Sequence, residues 1–249
     1  MEVRRCCAGF TLMELMVVVV ILSWLVWPFL QGVQRVQFEA KRELTETRLS
    51  GVKQALLDFV RVNAFLPCPD GNGDGREDRD GMDRCEFTHG SVPYLDVFLP
   101  PLQLKDAFGG NFIYAVDQGV QNQVSLHDAD NAASYFARNA APRFNLQTPP
   151  NALQSAENGL VICEAAESGC SDIEAKLHSV SAVLLAVNRR GIGSSMVNCS
   201  SQSLWEEENC DGDRYLVFGV YSKDLFDDQL MVISSYEIKS ELSAVWSIH

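Results

Sequence analysis

The sequence predicts an α+β protein in which one long amino-terminal helix precedes a head that contains several strands. An apolar run over residues 10–30 continues into an amphipathic stretch that reaches about Asn63, with apolar residues recurring at threes and fours. Beyond residue 110, five short apolar segments have the length and composition of strands. These predicted strands cover residues 112–116, 159–163, 180–187, 215–220 and 230–233.

The composition excludes several classes of protein. The chain has 249 residues, with 33 acidic and 20 basic side chains and a formal net charge of −13. Hydrophobic residues make up 47% of it, which is too many for a disordered polyanion. Because an acidic surface repels phosphate, we expect no nucleic acid partner.

The first element, residues 10–30, has a single charged residue, Glu14. At the rise of an α-helix, this length spans roughly 30 Å, the thickness of a bilayer core. Arg4 and Arg5 precede the run, so the positive-inside rule predicts a cytoplasmic amino terminus with the rest of the chain across the membrane. A plain anchor would leave the carboxylate unexplained, because a charge in hydrocarbon is costly unless it is paired.

The residues around Glu14 resemble a known export signal. The sequence AGFTLMELMVV at residues 8–18 is similar to the class III signal of type IV pilins and type II secretion pseudopilins. The resemblance implies that a prepilin peptidase cleaves after Gly9 and then N-methylates Phe10. It also implies that, in the filament, Glu14 pairs with the amino terminus of an adjacent subunit, which offsets the cost of its burial.

The resemblance divides the chain into four segments. They are a leader (1–9), a transmembrane helix (10–30), its amphipathic continuation (31–63) and a periplasmic or extracellular head (64–249). The implied fold is pilin-like, with the long helix packed on an antiparallel β-sheet. Within the head, LKDAFGGNFIY at residues 104–114 is similar to a segment of the major pseudopilins, whereas the polar stretch 117–158 has no recognised counterpart or assigned role.

Cysteines are frequent in this chain. Two of the eight, Cys6 and Cys7, fall in the predicted leader, which leaves six in the mature protein. We expect neighbours in sequence to pair in an oxidising compartment, because each pair would close a short loop of polar, turn-rich sequence. The expected pairs are Cys68–Cys85, Cys163–Cys170 and Cys199–Cys210, although six cysteines allow other pairings. A zinc site is the alternative, but no pair has CxxC spacing.

The first cysteine loop contains a candidate calcium site. Counted from Asp70, aspartate or asparagine side chains occupy positions one, three, five and nine of an EF-hand loop, with a glycine at the sharp turn in position six. The predicted ligands are the side chains of Asp70, Asn72, Asp74 and Asp78, the main-chain carbonyl of Arg76, and Asp80 or Asp83. Position twelve is Gly81 instead of glutamate, and a solvated acidic turn would have the same composition. A second acidic cluster, residues 206–213, is a weaker candidate.

The sequence contains no Walker loop, HExxH or Gly-x-Ser-x-Gly motif, so we expect no enzymatic activity. The expected function is that of a structural subunit, a minor pilin or pseudopilin of a type IV pilus or type II secretion pseudopilus. Its expected partners are other pilin subunits, the prepilin peptidase and methyltransferase, and the inner membrane. The alternatives are a pilus-tip adhesin on the same stem and a membrane-anchored periplasmic enzyme.

Overall fold

The computed structural model describes most of the helix and parts of the head. The described residues are 11–63, 65–80, 85–117, 160–164, 170–171, 175–177, 180–191, 204–222 and 225–246. The predicted leader, the cleavage site at Gly9 and Phe10, and residues 118–158 lie outside them. The chain divides into two units, residues 1–43 and residues 44–249.

The secondary structure follows the predicted order, with additions. The helices are α1 (Leu12–Asn63), α2 (Leu204–Glu208) and α3 (Ser235–Trp246), and a 3-10 turn covers Pro101–Leu104. The strands are β1 (His89–Gly90), β2 (Ile113–Val116), β3 (Val161–Glu164), β4 (Ala175–Leu177), β5 (Val180–Ala186), β6 (Tyr215–Phe218) and β7 (Gln229–Ser234). All five predicted strands are present, as β2, β3, β5, β6 and β7. The α+β class is therefore confirmed.

The larger sheet has four strands in the order β1-β2-β5-β7, and every neighbouring pair is antiparallel. This is the antiparallel sheet that the pilin-like fold implied. All seven residues of β5 are buried, because the sheet is covered on both faces. Its continuous apolar sequence is typical of such a strand.

A second sheet has three strands in the order β4-β3-β6. β3 pairs with β4 in antiparallel orientation and with β6 in parallel orientation. The prediction of an antiparallel head did not include this parallel pair. Parallel pairing is possible here because a crossover that contains β4, β5 and α2 separates β3 from β6, whereas a hairpin would return the chain antiparallel.

These elements of residues 44–249 form three layers, with the larger sheet in the middle. One face of that sheet, which includes Tyr114 and Leu184, packs on buried α1 residues spaced at threes and fours, namely Leu49, Val52, Leu56 and Val60. On the opposite face, Val183 packs against Ile162 and Leu216 of the second sheet. The amphipathic pattern of the sequence therefore identifies the α1 face that lies on the sheet.

Helix α3 was not predicted from the sequence. Its residues Ile238 and Leu242 are fully buried in the same core as α1. The helix begins with a capping box, in which Ser234 N–H and Oγ donate to Glu237 Oε2 at 2.8 and 3.0 Å and Glu237 N–H donates back to Ser234 Oγ. The Ser-x-x-Glu pattern followed by apolar residues at i and i+4 is the signal that would have found it.

Candidate functional site

The predicted assembly residue Glu14 lies in the first turn of α1. Its Oε2 accepts hydrogen bonds from Thr11 N–H at 2.9 Å and from Thr11 Oγ1 at 3.1 Å, and Glu14 N–H donates to Thr11 Oγ1 at 3.3 Å. This reciprocal arrangement is a capping box that satisfies donors at the helix start. Gly9 and Phe10, the predicted processing residues, lie outside the described residues.

On both sides of Glu14 in the sequence, the first unit exposes large apolar side chains around the helix. Leu12 is 77% exposed and Trp24 is 81% exposed, and the intervening apolar residues from Met13 to Leu22 are all exposed as well. A helix that is apolar on all sides requires apolar surroundings. Among the described residues, no helix has both the length and the apolar character needed to cross a membrane.

The segment similar to major pseudopilins forms a turn that is anchored to α1. Asp106 is buried, and its Oδ1 accepts hydrogen bonds from the main-chain N–H groups of Phe108 and Gly110 at 2.8 and 2.9 Å. Arg48 Nη1 donates to the carbonyl oxygens of Lys105 and Asp106 at 2.8 and 3.1 Å. These contacts bring the strand entry at β2 against the part of α1 that lies in the core.

Two of the three expected disulfides are formed by neighbours in sequence, Cys68–Cys85 and Cys163–Cys170. Cys210 is also disulfide-bonded, and Cys199, its expected partner, lies outside the described residues. The observed bridges fit the expectation that short polar loops are closed by disulfides. For these cysteines, the zinc alternative does not apply.

In the loop closed by Cys68 and Cys85, Asp70 organises the main chain. Asp70 is buried, and its two carboxylate oxygens accept hydrogen bonds from Gly73 N–H at 2.6 Å and Gly75 N–H at 2.8 Å. Both glycines have positive φ angles, +82° and +90°, which explains the residue type there. The Asp70 carboxylate therefore stabilises the turn of this loop whether or not an ion is bound.

The other predicted calcium ligands form turns in the same loop. Asn72 Oδ1 accepts from Asp74 N–H at 2.9 Å, and Asp74 Oδ1 accepts from Arg76 N–H at 2.8 Å. Asp78 Oδ2 accepts from Asn72 N–H at 3.1 Å. Asp80 is partly buried, whereas Gly81 and Asp83 lie outside the described residues. The loop thus brings the predicted oxygen ligands into one short segment, and calcium binding stays a prediction.

A tighter group of carboxylates lies in the carboxy-terminal part of the head. One carboxylate oxygen from each of Glu206, Asp227 and Asp228 lies within 4.8 Å of the other two, and all three residues are buried. Glu206 comes from α2, whereas the two aspartates lead into β7. Within the described ranges, these are the three potential metal ligands, among histidine, cysteine, aspartate and glutamate side chains, that lie close enough together to share one ion.

Hydrogen bonds hold these carboxylates in place. Glu206 Oε1 accepts from Asp227 N–H at 2.8 Å, and Glu206 Oε2 lies 3.0 Å from Arg190 Nε. Asp228 Oδ2 accepts from Asn209 Nδ2 at 2.8 Å. Burial raises the pKa of Asp228 well above its ordinary value; the hydrogen bond from Asn209 opposes this rise, and the charges of Glu206 and Asp227 add to it.

Sequence reasoning included Glu206 in the weaker acidic cluster but missed Asp227 and Asp228. The two segments are about twenty residues apart, and no motif spacing joins them. A short acidic pair before a predicted strand was the signal in the sequence, and it is common in loops. The fold brings the residues together because α2 leads towards β6 in one sheet while the aspartates lead into β7 in the other.

Comparison with protein families identifies the amino-terminal signal. The family model described as the prokaryotic N-terminal methylation motif matches residues 4–25. The chain carries the signal of type IV pilins and pseudopilins. No curated protein and no solved structure matches the chain.

The pilin signal covers the start of α1. It includes Gly9, Phe10 and the capping box between Thr11 and Glu14. The motif indicates a pilin-type, membrane-anchored precursor and implies processing by a prepilin peptidase and assembly with pilin subunits. The resemblance noted in the sequence is therefore confirmed, and the α+β head with a long helix on an antiparallel sheet is consistent with a pilin-like fold.

Proposed function

We propose that this chain is a non-enzymatic structural subunit, a minor pilin or pseudopilin, of a type IV pilus or type II secretion pseudopilus. It is inserted in the inner membrane with its head in the periplasm, cleaved after Gly9 and N-methylated at Phe10. It then enters the filament through its amino-terminal helix. The observation that carries the proposal is the methylation motif at residues 4–25, which runs directly into a helix with exposed apolar side chains.

The exposed helix supports a role in assembly. The described residues of the head bury a core of their own, whereas the apolar side chains between Leu12 and Leu25 are exposed in the single chain. In the proposed cycle, lipid covers these side chains first and neighbouring helices cover them in the filament. Between apolar helices the association depends on close packing and on polar pairs, because the exchange of lipid for protein adds little hydrophobic free energy.

Glu14 supplies the polar pair in this proposal. Both hydrogen bonds from Thr11 go to Oε2 of Glu14. In the filament, Oε1 would accept a hydrogen bond from the methylated amino terminus of an adjacent subunit. A charge-assisted hydrogen bond of this kind is stronger than a neutral one when water is absent. The capping box would then orient the carboxylate for the contact between subunits.

The processing step is tested by mass spectrometry of the full chain expressed with a prepilin peptidase. The proposal predicts a mature wild-type chain that begins with N-methylated Phe10, and a Gly9→Leu variant that retains its nine-residue leader. Gly32→Ala is the matched control, because a Cβ at Gly32 would meet no atom within 4 Å, and it should be processed normally. Cleavage at another residue, or normal cleavage of Gly9→Leu, would contradict the proposal.

We also propose that the loop of residues 70–80 binds calcium as a structural ion. The ligands would be the side chains of Asp70, Asn72, Asp74, Asp78 and Asp80 with the carbonyl of Arg76. Disulfide closure at Cys68–Cys85 favours the site, because it holds the loop together before an ion binds. Calorimetry with the full chain in detergent should detect binding that Asp74→Asn weakens and that Glu86→Gln, on the exposed surface, does not. Equal binding by Asp74→Asn would exclude this loop.

A further inference from the structure

The buried group formed by Glu206, Asp227 and Asp228 has features that the pilin signal does not explain. The three residues are 2%, 2% and 4% exposed. Carboxylates are rarely buried unless cations or hydrogen-bond donors surround them. Arg190 supplies one guanidinium, with its Nε 3.0 Å from Glu206 Oε2. Together, these three carboxylates and one guanidinium carry a formal charge of two negative units.

Two buried oxygens, one in this group and one on a residue that is hydrogen-bonded to it, have no hydrogen-bond donor within the described structure. Asp228 Oδ2 accepts from Asn209, but Asp228 Oδ1 is buried without a partner. Asn188 is fully buried, and its Oδ1 is likewise without a partner. A buried oxygen that no donor satisfies costs free energy comparable to a lost hydrogen bond. A bound cation would accept electron pairs from these two oxygens and so offset the cost of burying them.

The orientation of the Asn188 amide is determined by its neighbours. Its Nδ2 donates to the main-chain carbonyl oxygen of Asp227 at 2.6 Å and to Gln229 Oε1 at 3.1 Å. The carbonyl oxygen of Asp227 can only accept, so rotation of the amide by 180° would place two acceptors against each other. Asn188 thus lies against the main chain of the acidic pair with its own carbonyl oxygen left to bind something else.

From this geometry we propose that Glu206, Asp227 and Asp228, assisted by the amide oxygen of Asn188, bind one divalent cation, calcium in preference to magnesium. All the donors are oxygens, the ligand type of hard cations. Mg²⁺ usually keeps several waters and is held by only one or two carboxylates, whereas Ca²⁺ accepts six to eight oxygen ligands in a flexible geometry. Three carboxylates close enough to share one ion, together with an amide oxygen, therefore favour calcium.

The cation would join three segments of the head that are distant in sequence. Asn188 and Arg190 lie on the turn after β5, Glu206 lies on α2, and the two aspartates lead into β7. β5 and β7 are neighbours in the larger sheet, whereas α2 leads towards β6 of the second sheet. The ion would therefore stabilise the junction between the sheets. This role is structural, and it is independent of membrane insertion and filament assembly.

The test uses the full chain in detergent after removal of metal with a chelator, in an Asp74→Asn background in which the loop of residues 70–80 binds calcium more weakly. Calorimetry with calcium chloride should show one bound ion, and calcium should raise the melting temperature. Asp228→Asn should weaken binding roughly tenfold or more and abolish the calcium-dependent rise in melting temperature. Asp211→Asn is the control in the exposed acidic turn next to α2, and it should bind calcium as its parent does.

The calcium-free melting temperatures separate loss of a ligand from loss of the fold. Asp228→Asn retains an oxygen to accept from Asn209 and removes a buried negative charge, so without calcium it should melt at or above the temperature of its parent. Absence of calcium binding by the parent at millimolar concentration would overturn the proposal. Equal binding by Asp228→Asn would overturn it as well. Tighter binding of magnesium than of calcium would contradict the assigned ion.

Discussion

Lys53 on α1 and Glu237 on α3 form an ion pair, with Nζ and Oε1 2.5 Å apart. Lys53 Nζ also donates to the carbonyl oxygen of Val232 on β7 at 2.9 Å, and Glu237 closes the capping box of α3 through Ser234. One pair of side chains thus joins the long helix, the edge of the larger sheet and the carboxy-terminal helix. Ile238 and Leu242 of α3 are buried in the same core as α1.

We predict that Glu237→Gln lowers the free energy of unfolding by about 1 kcal/mol at pH 7, since the pair is partly exposed and a capping group is weakened. Burial would raise the pKa of Glu237, but hydrogen bonds from Lys53 and Ser234 and the charge of Lys53 lower it overall. The carboxylate therefore stabilises the fold above its ordinary pKa of 4.5, and the effect disappears as pH falls through the lowered value. Urea unfolding at several pH values measures both the loss of unfolding free energy at pH 7 and its dependence on pH.

Glu86→Gln is the control for this experiment, because Glu86 is exposed and should change stability little at any pH. A Glu237→Gln variant that loses the same stability at acidic pH as at neutral pH would contradict the charge pairing. It would indicate instead that the altered hydrogen bonding of the amide, and not the lost charge, causes the destabilisation.

Thr11 and Glu14 allow capping to be separated from assembly. We predict that Glu14→Leu inserts in the membrane but enters filaments poorly, because its carboxylate can no longer pair with an adjacent amino terminus. Thr11→Ala should cost about 1 kcal/mol of helix-capping free energy and retain much of the assembly. The amount of each variant in sheared filaments, relative to the amount in the membrane, gives the comparison. Equal defects in the two variants would assign Glu14 to capping alone.

Lys239 is a cation within the core of the head. It is 1% exposed, and burial lowers its pKa from 10.5 to about 8. Because the unfolded chain holds this proton more tightly, the buried lysine destabilises the fold most below pH 8, and stability should rise between about pH 8 and 10.5. We predict that Lys239→Met raises the melting temperature at pH 7 and that this gain shrinks towards pH 10.5.

Lys176→Met is a matched control for the lysine experiment, since Lys176 is 57% exposed and lies 3.9 Å from Glu164 in an exposed pair. It should leave the melting temperature nearly unchanged throughout. A constant gain for Lys239→Met across the whole pH range would show that packing, and not the charge, is responsible.

The two described disulfides should differ in their contribution to stability. Cys68–Cys85 closes 17 residues and Cys163–Cys170 closes 7, so chain entropy predicts losses of about 3.1 and 2.4 kcal/mol when each pair is replaced by alanine. Chemical unfolding of the two double variants measures the difference. A larger loss at the shorter loop would mean that contacts around Cys163, which packs with Val161 and Phe226, outweigh loop entropy.

Two glycines should respond in opposite directions to alanine. A Cβ at Gly110 would lie 2.7 Å from Asp106 Oδ2, so Gly110→Ala disturbs the buried turn and should cost about 1–3 kcal/mol. A Cβ at Gly51, an exposed position within α1, meets nothing within 4 Å. Gly51→Ala should therefore stabilise the helix by roughly 0.5–1 kcal/mol. Thermal unfolding of both variants tests the signs, and a stabilised Gly110→Ala would contradict the described turn.

Local patterns predicted those elements whose physical cause is local. Apolar residues at threes and fours identified the buried face of α1, since a helix repeats every 3.6 residues. The apolar run 180–187 identified β5 because a strand covered on both faces needs no polar alternation. Helix α3 was missed although its capping pattern is in the sequence, and the parallel pairing of β3 with β6 has no local signal at all.

By itself, the sequence determined the pilin signal, the α+β class and the neighbour pairing of the described disulfides. Each depends on residues that are adjacent or separated by a regular spacing. Only the tertiary structure decided that Asp227 and Asp228 meet Glu206, and that Lys53 reaches Glu237 across 184 positions of chain. Such contacts arise because strand order and helix docking bring distant segments together. A contact between segments that are far apart in sequence produces no regular spacing of residues from which it could be predicted.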